Sequence, residues 1–229
     1  MTFPSSIRFP AATGLAVFSD FDGTIAHPDT LNFLTETFSS VEFRQGIGRK
    51  IACGELSLRD GIQQEVATIR GSLEEVLLFL KKHVEIDSTF SAFAQWCFEQ
   101  QIPLTILSAG IKDIIEDLLR PCDLKQVKIL ANPLRIVEGR WSLEFLDDTP
   151  WGHDKASAVR QAKADGWYVV YLGDGLSDRG AARSADLVFA KGGLARYCTE
   201  EHIPYTELSS FSLVQKELMR FLQEERRQH

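Results

Sequence analysis

Asp20 and Asp22 stand two residues apart in Asp20-Phe21-Asp22-Gly23-Thr24, at the end of the apolar run Leu15-Ala16-Val17-Phe18. On an extended backbone, alternate residues share a side. Both carboxylates can therefore address one hard cation or one phosphoryl group while Phe21 turns into the core, and Gly23 and Thr24 let the chain turn away. A second acidic group follows another apolar run, Tyr168 to Leu172: Asp174 lies between two glycines, and Asp178 comes four residues later on the opening turn of a helix. With Asp20 these make an oxygen-rich site suited to Mg2+. Counted from Asp20 as a calcium loop, the positions that need Gly and Glu hold Ile25 and Leu31, which excludes an EF-hand.

Ser108-Ala109-Gly110 ends a third apolar run. There the Ser108 hydroxyl and the backbone N–H groups of Ala109 and Gly110 can hold phosphate oxygens at a helix N-terminus. A plain helix N-cap accounts for Ser108 equally well. Lys155 directly follows Asp154, which puts an ammonium near the same rim, where it can neutralise a phosphoryl group. Taken alone it reads as a surface lysine.

The elements that must position these groups alternate between strand and helix. Strands are expected at 15–19, 103–107, 127–131, 167–172 and 187–190, with helices at 88–101, 111–120, 155–164, 177–184 and 210–225. Asp154 is the expected cap of the helix that begins at Lys155. Between Leu134 and Leu146 the pattern alternates around Glu138-Gly139 like a β-hairpin. After the first Asp pair the rhythm changes to four helices in a row, near 29–40, 41–54, 57–70 and 72–83, the last opened by the capping box Ser72-Leu73-Glu74-Glu75. Four helices are too many for one crossover, so they read as an insertion. The expected fold is α/β: a doubly wound, mostly parallel, Rossmann-like sheet over 1–28 and 88–229, with an all-helical cap over 29–87 and a small hairpin. In such sheets ligands gather beyond the carboxyl ends of the strands, where all four polar groups fall.

The 229 residues carry a net charge of -7, which argues against a nucleic-acid or anionic-membrane partner. Cys53, Cys97, Cys122 and Cys198 are scattered without metal-ligand spacing, as expected of a reduced, cytoplasmic protein. The start of the chain, through Pro4, Arg8 and Pro10, shows no secretory signal, and no window approaches the roughly 20 apolar residues that span a bilayer. The sequence carries no signal for oligomeric state.

Taken together, the motifs resemble those of the haloacid dehalogenase superfamily of phosphohydrolases. Asp20 to Thr24 match its first motif, Ser108 its second, Lys155 its third, and Asp174 with Asp178 its fourth, in the right order. The inserted helices resemble the cap of the phosphoserine-phosphatase-like branch. Asp29, Leu56 to Gly61 and the stretch from Gly173 to Ala190 further resemble the methionine-salvage phosphatases that act on an enol phosphate. The resemblance implies a Mg2+-dependent phosphomonoesterase acting on a small phosphorylated metabolite. Asp20 would be the nucleophile, Asp22 the general acid and base, and Ser108 and Lys155 the phosphate holders. The ion would be held by Asp20, the Asp22 carbonyl, Asp174 and, directly or through water, Asp178. Gly23, Thr24, Asp29, Ala109 and Gly110 complete the expected phosphate and substrate contacts.

Substrate choice is expected in the cap. Asp29 is the acidic reader there, with helix capping as its plainer role. A phosphoserine reader also needs an arginine, yet the third helix offers Gln63, Gln64 and Glu65 at its middle, with Arg59 and Arg70 at its ends. Phe33, Phe38 and Phe43 could line an apolar pocket, although such spacing more often means core. His27 reads as a loop residue near the site. The same phosphorylated aspartate would also serve a phosphotransferase, and a non-catalytic phosphate-binding protein is the class left if turnover is absent.

Overall fold

The computed structural model describes residues 14–124 and 126–228, apart from the side chains of 225–228. The opening stretch with Pro4, Arg8 and Pro10 lies outside the described residues. Strand β1 (Gly14–Ser19) is the centre of the architecture. Leu15 and Val17 join one buried cluster while Ala16 and Phe18 join another, so both faces of the strand are covered. A strand buried on both faces reads as a continuous apolar run, which is what residues 15–18 show.

In chain order there follow β2 (Ala26–His27), α1 (Thr30–Phe38), α2 (Val41–Ala52), α3 (Leu58–Val66), α4 (Leu73–His83), β3 (Glu85–Ile86) and α5 (Phe90–Glu99). Next come β4 (Leu104–Ile111), α6 (Lys112–Leu119), β5 (Lys128–Asn132), β6 (Leu134–Val137) and β7 (Arg140–Leu143). The chain continues through α7 (Lys155–Ala164), β8 (Trp167–Gly173), α8 (Arg179–Ser184), β9 (Leu187–Ala190), α9 (Gly192–Glu200), β10 (Thr206–Glu207) and α10 (Phe211–Gln228). Six strands form one sheet in the order β10-β9-β8-β1-β4-β5, and the pairings are parallel. Ser19 pairs with both Ile106 and Leu172, so the end of β1 lies level with Leu107 of β4 and Gly173 of β8. This register puts Asp20, Ser108 and Asp174 side by side.

The expected Rossmann-like α/β core and hairpin are present. Glu138 and Gly139 both have positive φ (51° and 73°), the backbone of the tight turn that matches the twist of the flanking strands. Four short elements, β2, β3, α9 and β10, lie outside the expectation. β2 and β3 pair antiparallel and bracket the four helices, but two residues each give no readable period. α9 opens on Gly192-Gly193, glycines that read as a loop.

The hairpin has a partner in α3. The buried Trp141 donates its indole N–H to the Gly71 carbonyl at 3.0 Å, and Leu143 N donates to Gln63 Oε1 at 3.1 Å. Arg59 N donates to the Pro150 carbonyl at 2.9 Å, while its guanidinium lies 4.4 Å from the centre of the Phe145 ring and donates to the Asp147 carbonyl. Leu31, Leu34, Ile62, Val66, Val76 and Leu80 from the inserted helices share one buried cluster with Phe21 and Ile106. No helix among the described residues is long and apolar enough to cross a membrane.

Candidate active site

Beyond the ends of β1, β4 and β8 lies a cavity of about 290 Å3 whose wall includes Asp20, Asp22, Ser108 and Asp174. Its size sits at the low end of the roughly 300–1,000 Å3 typical of small-molecule sites. Helices α1, α2 and α3 close the opposite wall with Asp29, Arg44 and Glu65 among its residues.

Asp20 Oδ1 accepts from Lys155 Nζ at 2.5 Å. The same ammonium donates to Asp178 Oδ1 at 2.8 Å, and Lys155 is 1% exposed. The surface reading of this lysine is therefore wrong: it lies behind Asp20, not in the cavity wall, and keeps one N–H for a further acceptor. Burial alone would push its pKa down, but Asp178 and Asp20 more than reverse this and hold it above the ordinary lysine value. Burial pushes Asp20 well above the carboxylate range; Lys155 pulls against it and Asp178 and Asp174 add to it. Burial likewise raises Asp174 to about 6, with Asp178 adding to the shift.

Asp178 is fully buried and holds the acidic loop in shape. Its Oδ1 also accepts from Tyr171 Oη at 2.6 Å, and its Oδ2 accepts from the backbone N–H groups of Asp174 (3.0 Å) and Gly175 (2.9 Å). Both oxygens are thus fully engaged. Ser177 lies inside a single 3-10 turn (Leu176–Asp178), and Asp178 does the capping. Carboxylate oxygens of Asp20, Asp174 and Asp178 fall within 4.8 Å of one another. Two buried acids that share one ammonium, with the half-buried Asp174 beside them, form a hard-oxygen donor set with excess negative charge, which fits a divalent cation.

Asp22 points away from that cluster. Its Oδ1 accepts from Thr30 N at 2.9 Å and Thr30 Oγ1 at 2.6 Å, so the N-terminus of α1 is aimed at the acid. Ser108 Oγ donates to its Oδ2 across 3.4 Å. Burial raises the Asp22 pKa, and the Thr30 hydrogen bonds oppose the shift. A Cβ at Gly110 would come 2.6 Å from Asp22 Oδ2, so only glycine leaves this acid in place.

Ser108 is not a helix N-cap. β4 runs on through Ile111 with an irregularity after Leu107, and α6 begins only at Lys112. Ser108 Oγ instead accepts from Gly110 N at 2.9 Å, so that N–H already has a partner. The Ala109 carbonyl is held by the buried Asn132, whose Nδ2 donates to it at 2.8 Å and to the Gly152 carbonyl at 2.9 Å. Ala109 and Gly110 do line the cavity, whereas Gly23 and Thr24 do not. Gly23, with φ 76°, packs so closely on the Asp174 carboxylate that a side chain would collide with it. Thr24 is buried and its carbonyl accepts from Lys191 Nζ at 3.2 Å.

Asp29 takes the plainer of its two expected roles and also lies in the cavity wall. It caps α1, accepting from Asn32 N and Nδ2 at 2.8 Å each, and it lines the cavity. Burial, then the nearby Asp22, raises its carboxyl to about 8. The aromatic pocket is not formed. Phe33 stacks on Phe79 at 5.5 Å, Phe38 packs on the core, Phe43 is exposed, and none of them lines the cavity. The apolar strip there is Leu31, Ile51, Leu58 and Ile62. His27 is exposed and likewise not in the wall.

Sequence reading missed Thr30, Arg44, Asn132 and Lys191 and gave Glu65 no role. A Thr directly after a capping Asp was the one available signal. Glu65 is 8% exposed, and burial raises its carboxyl from 4.5 to about 7, with Arg44 pulling the other way. The folded protein therefore keeps a proton that the unfolded chain has lost between about pH 4.5 and 7, so folding stability falls as pH rises through that window. Glu65→Gln removes this slope. Thermal midpoints of the two proteins recorded from about pH 5 to about pH 8 should diverge, the variant becoming progressively the more stable. Parallel curves would contradict the assignment.

The family model for haloacid dehalogenase-like hydrolases matches residues 17–183. The chain is 34% identical to the Pdp3-interacting factor 1 of Schizosaccharomyces pombe, over 90% of this chain and 95% of that one. It is 30% identical to the polyol phosphate phosphatase PYP1 of Saccharomyces cerevisiae, over 85% and 88% of the two chains. It is 32% identical to a 2-hydroxy-3-keto-5-methylthiopentenyl-1-phosphate phosphatase of Bacillus cereus, over 91% and 98%. Among solved structures, a phospho-aspartyl intermediate analogue of phosphoserine phosphatase superposes with a TM-score of 0.68 at 16% identity, covering 91% of this chain and 98% of that one, a likeness of fold. This chain belongs to the haloacid dehalogenase-like hydrolases and is one of their phosphatases.

Proposed function

We propose that the protein hydrolyses a small-metabolite phosphomonoester through a phosphorylated Asp20, with Mg2+ as cofactor, residues 29–87 acting as the cap and the cytoplasm as the setting. The observation that carries the chemistry is the division of the two acids: Asp20 is tied to Lys155 and the metal-type cluster, Asp22 to Thr30 and Ser108. An Asp20 oxygen attacks phosphorus, and the ester P–O bond breaks. The departing alkoxide takes the proton of Asp22, whose raised pKa suits an acid. In the second half Asp22 takes a proton from water, the water oxygen attacks phosphorus, and inorganic phosphate leaves as the bond to Asp20 breaks.

Lys155 pulls Asp20 toward its ionised form from behind, against the effect of burial, while Ser108 lies in the cavity wall beside Asp22. Asp20, the Asp22 carbonyl and Asp174 would hold the ion, with Asp178 acting through water because its oxygens are already taken. When bound, Mg2+ supplies positive charge against the developing negative charge of the phosphoryl oxygens. Four unpaired thiols support the cytoplasmic setting.

For the substrate, the methionine-salvage enol phosphate is one reading, supported by the Bacillus cereus relative and by the apolar strip of Ile51, Leu58 and Ile62. A polyol phosphate is the second, favoured by Asp29 and Glu65 in the cap wall and by the Saccharomyces cerevisiae relative. Phosphoserine is the least supported, because Arg44, the arginine in the wall, has its Nε held by Glu36 at 2.5 Å.

The acid role is tested by Asp22→Asn. Turnover of an alkyl phosphate should fall by about a hundredfold to ten-thousandfold, and that of an aryl phosphate, whose leaving group needs no proton, should fall much less. Equal losses on the two substrates would contradict protonation by Asp22.

A further inference from the structure

Glu65 sits on α3 in the wall of the cavity, about nine-tenths buried; its backbone carbonyl accepts from Thr68, but its carboxyl makes no hydrogen bond to any described residue. An ionisable group held in this way costs stability unless something satisfies it. Its protein neighbour is Arg44, which attracts it without bonding to it and donates through Nε to Glu36 on α1. Asp29 is close enough on the same wall to feel the charge of Glu65. The end of the cavity away from Asp20 thus presents two carboxylates and one guanidinium already paired.

With its pKa raised to about 7, the Glu65 carboxyl can accept a hydrogen bond when ionised and donate one when protonated, and a ligand hydroxyl can answer either form. Arg44 already sets positive charge beside Glu65, which weakens the pull on an ammonium, and a ligand carboxylate would be repelled by Glu65 and Asp29 when these are ionised. A neutral hydroxyl meets neither objection. Resting on the phosphatase reading above, we infer that Glu65 is a specificity-determining residue that hydrogen-bonds a hydroxyl of the leaving group, so that the preferred substrates are short polyol monophosphates with a second hydroxyl for Asp29.

The test compares wild type with Glu65→Leu and Glu65→Gln on glycerol, erythritol, ribitol and sorbitol phosphates, with p-nitrophenyl phosphate as a substrate that has no hydroxyl to read. Wild type should prefer one of the polyol phosphates. Glu65→Leu should raise KM for that substrate by about ten- to a hundredfold, the size of one hydrogen bond to a charged group. Its kcat and its turnover of the aryl phosphate should stay within about twofold of wild type, because Glu65 does not touch the reacting atoms. Glu65→Gln, which keeps one acceptor oxygen, should recover part of the loss. Thermal midpoints at neutral pH should be equal to wild type or higher in both variants, since a side chain kept for a ligand stabilises nothing in its absence.

An equal fall on polyol and aryl phosphates, no fall on either, or a lower midpoint accompanying the loss would overturn the assignment. So would a wild type that hydrolyses the aryl and enol phosphates and no polyol phosphate, a result that leaves the phosphatase reading standing. Absence of Mg2+-dependent turnover of the aryl phosphate would instead strike the phosphatase reading itself.

Discussion

Asp20→Asn should lower Mg2+-dependent phosphate release by on the order of ten-thousandfold or more on every substrate, as loss of a nucleophile does. The fold should survive. Asp20 is buried and its carboxyl is pushed up by that burial, so a neutral isostere relieves a desolvation cost, and Lys155 retains Asp178 as a partner. A protein that is folded, inactive on alkyl and aryl phosphates alike, and still able to bind Mg2+ weakly is the expected outcome. Steady-state rates together with a thermal midpoint check it. Retained activity would remove Asp20 from the chemistry.

Lys155→Met should damage both stability and activity. The lysine neutralises two carboxylates inside the protein, at 2.5 and 2.8 Å. Removing it leaves Asp20 and Asp178 buried without their cation, and breaking such a pair costs about 3–5 kcal/mol. For a chain of this size that corresponds to a fall in thermal midpoint of roughly 6–20 °C. The loss should grow as pH rises, because the two acids then ionise without compensation. Activity should fall even where the variant is folded, since Asp20 without its ammonium favours the protonated form. A small midpoint shift in metal-free buffer would contradict the structural half of this account.

The parts of the site that were legible in the sequence are those placed by strand register. Asp20, Ser108 and Asp174 each follow an apolar strand, and parallel strands in register bring their ends together, so reading three strand ends is nearly reading the site. Lys155 was legible in position, one residue after the Asp154 cap, but its burial was not. Burial depends on α7 packing beside Asp178, which no local pattern encodes. The helical segment is where local reading ran out. Periodicity showed that each helix has an apolar face but not which neighbour that face would meet, so a pocket stayed open beside the favoured core reading for Phe33 and Phe38, which pack with Phe79 and the core. Glu65 and Arg44 come together from α3 and α2 only after those helices pack, and Asn132 reaches Ala109 only across two strands. The hairpin was visible from Glu138-Gly139, while its purpose became readable only when Trp141 was found against Gly71.

The central claim is a covalent phosphate on Asp20, and trapping it is the most direct measurement. The protein, mixed with Mg2+ and an aryl phosphate, is quenched in acid within the first turnover and treated with borohydride, which reduces an acyl phosphate to the alcohol. Peptide mass spectrometry should then find homoserine in place of Asp20, and none when substrate is omitted. Homoserine at another aspartate, or phosphate release at full rate with no reducible acyl group at any time point, would contradict the account.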